Sequence, residues 1–259
     1  MKVLRYIACS LAMFSRVPIP RSLNLAEDDM RYILAACPLV GVLIGAVALL
    51  WWWLCGICEF SPFLQAVGML CVPFLVAGAI HMDGFVDVCD AISSHASPAK
   101  KRKILADPHV GAFSIICTVL YLLIYCAVLY EIDITLPVVG LFACIYVFER
   151  ALSGMCALMF PKSTDKGMLA AFNREASEQS SMLVLVIVFA ACVVCMVMLD
   201  WVAAIFVVVA AAIAVVYLYV TARKQFGGMS GDLSGFFLQI AELAMLVAVL
   251  VAQKVVFFL

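Results

Sequence analysis

Between Met182 and Val220 the chain carries a single charged side chain, Asp200. On each side of it lies an apolar run of the length that crosses a bilayer, roughly 20 residues. Backbone polar groups placed in hydrocarbon must be satisfied within the segment, so runs of this kind fold as helices. The pattern recurs along the chain. Seven spans can be drawn, at about 33–54, 62–80, 111–130, 137–160, 181–199, 201–220 and 236–258. Composition agrees, at 67% hydrophobic and 13% charged residues, with a mean hydropathy of +1.18. A soluble domain is nearer half apolar. The expected fold class is therefore all-α: a polytopic integral membrane protein of about seven transmembrane helices. One membrane domain is expected over residues 1–259, with no separate soluble domain.

The first residues, "MKVLRYIACSLAMFSR", are basic and then apolar, which raises the question of a signal peptide. Arg16 breaks the apolar stretch and no small-residue cleavage site follows. The apolar region before Cys9 is also too short for a lipoprotein signal. Residues 3–14 are expected to form an interfacial or re-entrant helix that stays with the protein.

The basic residues are distributed asymmetrically. Of sixteen Lys and Arg, fourteen precede the first span or fall in the connections 81–110, 161–180 and 221–235. The opposite connections carry only acids, such as Glu59, Glu131 and Asp133. By the positive-inside rule the basic side is cytoplasmic. Lys254, near the end of the last span, can snorkel to the interface. Arg150, inside the fourth span, needs a partner. The net charge of −1 argues against nucleic acid as a partner. The twelve cysteines mostly lie within apolar runs, where cysteine behaves as a small hydrophobe. Cys55-x-x-Cys58 and Cys192-x-x-Cys195 have redox-like spacing but no nearby ligands, so neither a redox nor a metal role is expected there.

The acids are concentrated in "HMDGFVDVCDA", residues 81–91. Asp83, Asp87 and Asp90 stand at i, i+4 and i+7 and share one face of a helix. His81 precedes them, and Gly84 allows close approach of another backbone or a ligand. Three carboxylates on one face at a membrane boundary repel each other and lose hydration. A divalent cation relieves both problems, and magnesium is the hard-oxygen choice when phosphates supply further ligands. The plain alternative is a solvated acidic helix end. That alternative suits one aspartate better than three on one face.

Two further stretches face the same compartment. "FGGMSGDLSGFF", 226–237, is a Gly/Ser-rich turn with Gly228, Ser230 and Asp232 ahead of the last span. Such backbone can present N–H groups to a phosphate, or simply connect two spans. Glu242 follows inside the apolar helix, as a site residue or a partner for a buried polar group. "ILADPHVGAF", 104–113, sets Asp107 and His109 before the third span, where Pro108 can begin the helix. Arg150 is either a structural ion pair or a phosphate clamp of the kind a guanidinium favours. Carboxylates, a phosphate-friendly turn and basic residues together suggest metal-assisted phosphoryl transfer.

These stretches, with "MFSRVPIPR" (13–21) and "CPLVGVLIG" (37–45), resemble the cobalamin synthase family of membrane-embedded adenosylcobinamide-GDP ribazoletransferases. They occur in the family's order over most of the chain. "HMDGFVDVCDA" and the Gly-Gly-x-Ser-Gly-Asp turn are the most specific. The resemblance implies that adenosylcobinamide-GDP is joined to alpha-ribazole or its 5′-phosphate, with release of GMP. It implies magnesium as cofactor and the cytoplasmic face of the bacterial inner membrane as location. Carried onto this chain, His81, Asp83, Asp87 and Asp90 are candidate catalytic residues, and Asp83, Asp87, Asp90 and Asp232 candidate metal ligands. Asp107, His109, Arg150, Lys162, Gly228, Ser230, Asp232 and Glu242 are candidate substrate or phosphate contacts.

The chain departs from the family around Ala106–His109, where a basic residue and Ser-Arg are usual. It also departs at "FPKSTDKGM" (160–168), which offers Lys162 and Lys166. The expected partners are the small-molecule substrates and membrane lipid, and a homo-oligomer stays open. Two other readings fit the residues less well. A CDP-alcohol phosphotransferase would need Asp-x-x-Asp-Gly-x-x-Ala-Arg, which is absent. A cation transporter would place its acids near the midplane in repeated halves.

Overall fold

A computed structural model describes residues 2–20, 27–107, 109–163 and 177–258, which are helical apart from short connections. The helices are α1 (Lys2–Phe14), α2 (Ile33–Ala36), α3 (Pro38–Ile57), α4 (Pro62–Ala77), α5 (Ile80–Ser93), α6 (Pro98–Ile104), α7 (Ala112–Glu131), α8 (Leu136–Met159), α9 (Glu178–Leu199), α10 (Trp201–Thr221) and α11 (Gly231–Phe258). Six of them, α3 and α7 to α11, are long and apolar enough to cross a membrane. Proline opens α3, α4, α6 and α8 in the first turn, where its missing N–H costs nothing.

The predicted span 62–80 differs in form. It is a bent pair, α4 and α5, whose axes differ by 101°. Gly78 takes φ 73°, a left-handed conformation that glycine reaches without strain. Pro73 already removes one helical donor upstream. The seven predicted spans thus correspond to six unbroken helices and one bent pair, which breaks before the acidic stretch. The connection 81–110 holds the helix expected for the acidic stretch, α5, and a second helix, α6. The last span also begins earlier, at Gly231, so Asp232 lies in its first turn.

The core is a continuous apolar cluster in which α8 and α11 are the most enclosed spans. Glycine sets the closest approach of α3 to α8. A methyl carbon added at Gly41 would sit 2.3 Å from the Tyr146 carbonyl oxygen. The hairpin α9–α10 turns at Asp200, whose carboxylate accepts the Ala203 N–H at 3.0 Å as an N-cap. Its outward residues, such as Val194, Met198 and Ile213, are exposed, which suits a lipid-facing hairpin. Lys254 reaches Glu131 at 3.7 Å, at the end of the bundle opposite the basic connections. All twelve cysteines are free, including both pairs with redox-like spacing.

Candidate active site

The acidic stretch is a helix, as its spacing predicted. On α5, His81, Gly84, Phe85, Val88 and Ala91 are buried. Asp83 is exposed, and Asp87 and Asp90 are half-buried. One helix thus has an apolar face toward the bundle and an acidic face away from it.

Two glycines decide what that helix meets. A methyl carbon at Gly84 would lie 2.6 Å from the Asp232 carbonyl oxygen and 2.9 Å from its Cα. A methyl carbon at Gly235 would lie 2.7 Å from the His81 carbonyl oxygen. α5 and the first turns of α11 therefore touch backbone to backbone, each through a glycine of its own. Phe85 stacks on Phe236 at 5.7 Å beside this contact. The consequence is electrostatic. The charges of Asp83, Asp232 and Asp90 all bear on Asp87, and that of Asp83 bears on Asp232. The two acidic motifs, far apart in sequence, meet at this backbone contact, and their carboxylates act on one another. Asp90 also closes over the start of α7, since a methyl carbon at Gly111 would overlap its Oδ1 at 2.0 Å. A Gly84→Val variant should insert but lose this contact. The expected outcome is a fall in activity of roughly 100-fold, since overpacking costs about 1–3 kcal/mol and α5 must shift away from Asp232. The check is steady-state turnover of the purified variant beside its thermal midpoint.

The Gly-rich turn is held as firmly as the helix. Gly227 has φ 77° and Gly228 φ 152°. The Gly228 N–H donates to the Ala222 carbonyl at 2.9 Å. Met229 bridges in parallel to Lys162. The Met229 N–H donates to the Pro161 carbonyl at 2.7 Å, and the Ser163 N–H donates to the Met229 carbonyl at 3.0 Å. Gly228 has no room for a side chain, because a methyl carbon would sit 2.4 Å from the Lys162 carbonyl carbon. Ser230 caps α11, its hydroxyl accepting the Leu233 N–H at 3.3 Å. Lys162 is exposed beside the turn. Lys166 and Arg174, in the same connection, and Pro108 lie outside the described residues.

The other predicted site residues fall into two separate places. Asp107 and His109 bond to each other in an exposed loop ahead of α7. The His109 ring Nδ1 and backbone N–H both donate to Asp107 Oδ1, at 2.7 and 3.0 Å. These bonds hold the Asp107 carboxyl below the usual carboxylate range. Arg150 and Glu242 lie inside the bundle, 2% and 1% exposed. Arg150 Nη1 donates to Glu149 Oε1 at 2.5 Å and to the Tyr146 carbonyl at 2.8 Å. The Tyr125 hydroxyl donates to Glu242, whose charge bears on Glu149. Of the two sequence readings for Arg150, the structure supplies the ion pair.

His81 is buried on the face of α5 opposite the aspartates. It stacks on Phe14, with ring centroids 6.3 Å apart, and lies near enough to Arg150 to feel its charge. His81 therefore joins α5 to α1 and the bundle, while Asp83, Asp87, Asp90 and Asp232 hold the open side. Sequence reasoning missed Glu149, although it sits next to Arg150 in an apolar span and shares the signal that singled Arg150 out. It also missed Lys101, Arg102 and Ser163, which dock on the turn and carry no local signal for doing so.

The donor set fits a hard cation. Four carboxylates offer oxygen ligands of the kind magnesium takes, with no soft donor among them. Among the described residues no three His, Cys, Asp or Glu side chains converge as a ready-made cage.

Comparison with known proteins gives a consistent result. The profile of the family described as cobalamin-5-phosphate synthase matches residues 6–250. An adenosylcobinamide-GDP ribazoletransferase of Lachnoclostridium phytofermentans is 31% identical over 258 residues, covering 100% of this chain and 98% of the relative. Those of Clostridium botulinum and Geobacillus kaustophilus are 28% and 30% identical, each over 90% of this chain and over 92% and 90% of the relative, respectively. No solved structure matches the chain. The chain belongs to the cobalamin-5-phosphate synthase family.

Proposed function

We propose that this protein joins adenosylcobinamide-GDP to alpha-ribazole or alpha-ribazole 5′-phosphate, releasing GMP and giving adenosylcobalamin or its 5′-phosphate. Family membership supports the reaction. The observation that carries the site is the contact of α5 with α11 at Gly84 and Gly235, which gathers four carboxylates from two distant motifs.

Asp83, Asp87, Asp90 and Asp232 would hold magnesium against the diphosphate of the activated corrinoid. The bound ion would neutralise charge on the transferring phosphoryl group and on the departing GMP. The ribazole hydroxyl attacks the corrinoid-side phosphorus. A new P–O bond forms to ribazole, the P–O bond to GMP breaks, and GMP leaves with the bridging oxygen. An aspartate of the open face that is not spent on the ion takes the hydroxyl proton. The Gly228 and Met229 N–H groups are taken by the Ala222 and Pro161 carbonyls, so Lys162 and the N-terminus of α11 after Ser230 would bind phosphate oxygens. The positive-inside rule supports a cytoplasmic position for this face, at the bacterial inner membrane.

A cellular test follows. A bacterium lacking cobalamin synthase, supplied with cobinamide and the lower base, should regain cobalamin-dependent growth when it expresses this chain. It should fail with the Asp87→Asn variant at equal membrane abundance. No rescue by the wild-type chain, with the protein present in the membrane, would count against the reaction.

A further inference from the structure

The turn from Phe226 to Ser230 is walled on one side by the backbone of Lys162. On another it receives a cation that the acidic helix does not explain. Arg102 Nη1, on α6, donates to the Phe226 carbonyl at 2.9 Å. A methyl carbon at Gly227 would sit 3.1 Å from the same Nη1. The guanidinium therefore lies against the glycine turn itself. Next to it Lys101 is buried, and its Nζ donates to Gln225 Oε1 at 2.5 Å. Two consecutive bonds fasten α6 to the segment before the turn and fix where Arg102 stands.

Arg102 is nonetheless exposed. A guanidinium has five N–H donors in a planar fork, and one backbone carbonyl does not saturate it. Its spare donors suit a pair of phosphate oxygens. The helix that follows the turn carries Asp232, which joins the carboxylates of α5. The turn thus has an acidic side and a cationic side. A diphosphate with a divalent ion needs both, because the ion covers only some of its oxygens.

We propose that Arg102 is a substrate-binding residue that grips the diphosphate of the nucleotide-activated corrinoid at the Gly227–Gly228 turn, opposite the carboxylates of α5 and Asp232. The proposal rests on the transfer reaction above and adds to it a residue outside the recognised motifs.

The test uses the full chain in detergent or nanodiscs, with equilibrium dialysis of adenosylcobinamide-GDP and steady-state kinetics with each substrate varied. Arg102→Ala should weaken binding of the corrinoid, and raise its KM, by roughly 10–30-fold, the loss of a charge-assisted contact. The KM for ribazole phosphate and the thermal midpoint should stay as in wild type. Arg102→Gln keeps a polar group without the charge, so it should match alanine in corrinoid affinity, whereas Arg102→Lys should recover part of it. Unchanged corrinoid affinity in the alanine and glutamine variants would overturn the proposal and leave the transfer reaction standing. So would equal losses for both substrates together with a lowered thermal midpoint, the mark of a mere structural pin. A wild-type chain that neither binds nor turns over the GDP-activated corrinoid would remove the reaction, and the proposal with it.

Discussion

Asp87→Asn should lower GMP release by about 10²–10³-fold or more, the scale of losing an electrostatic stabiliser at the reacting centre. Asp87 occupies the middle of the cluster, with Asp83, Asp232 and Asp90 all acting on it. The asparagine keeps the shape and removes one charge, so packing of α5 on α11 should persist and the thermal midpoint should hold. What changes is the capacity for a divalent ion, so the magnesium concentration giving half-maximal turnover should rise as well. Titrating magnesium against turnover in wild type and variant checks this. Wild-type magnesium dependence in Asp87→Asn would remove the carboxylate cluster from metal binding.

Arg150→Met should have its largest effect on stability. The substitution leaves Glu149 and Glu242 in the bundle, 0% and 1% exposed, without their cation. Removing one partner of a buried ion pair costs about 3–5 kcal/mol, because the stranded charge has no solvent to replace it. The network is already incompletely satisfied. Glu149 Oε2, Arg150 Nε and the hydroxyls of Tyr121 and Tyr146 have no partner among the described residues. The expected result is a thermal midpoint in detergent far below that of wild type, with part of it restored in the double variant Arg150→Met, Glu149→Gln. Partial recovery follows from coupling between groups in contact. An Arg150→Met protein that kept its midpoint and lost only affinity for the corrinoid would return Arg150 to the role of a phosphate clamp.

These two expectations separate what could be read in the sequence from what could not. The helical class was legible because runs such as 182–199 and 201–220 leave the backbone no alternative in hydrocarbon. The acidic face of α5 was legible because the period of a helix turns i, i+4 and i+7 into one stripe. The break at Gly78 was not. A lone glycine inside an apolar run tells nothing of whether its freedom is used, and here the turn of α5 away from α4 uses it. The meeting of Gly84 with Asp232, and of Gly235 with the His81 carbonyl, is a tertiary fact that neither motif contains alone. Arg150 and Glu242 stood out as charges in apolar spans, a signal for function and for buried pairing alike. Only the position of Glu149 beside them assigns the pairing. His81 shows the same limit. Its place two residues before Asp83 suggested membership of the acidic group, yet two residues on a helix turn the side chain to the opposite face.

The central claim is a transfer that releases GMP at the carboxylate cluster between α5 and α11. The most direct test incubates the purified chain with magnesium, adenosylcobinamide-GDP and alpha-ribazole 5′-phosphate, and follows GMP and the corrinoid product together. The account predicts one GMP for each adenosylcobalamin 5′-phosphate formed, and neither product when ribazole phosphate is withheld. GMP appearing without the joined corrinoid, or no GMP from a folded protein, would contradict it.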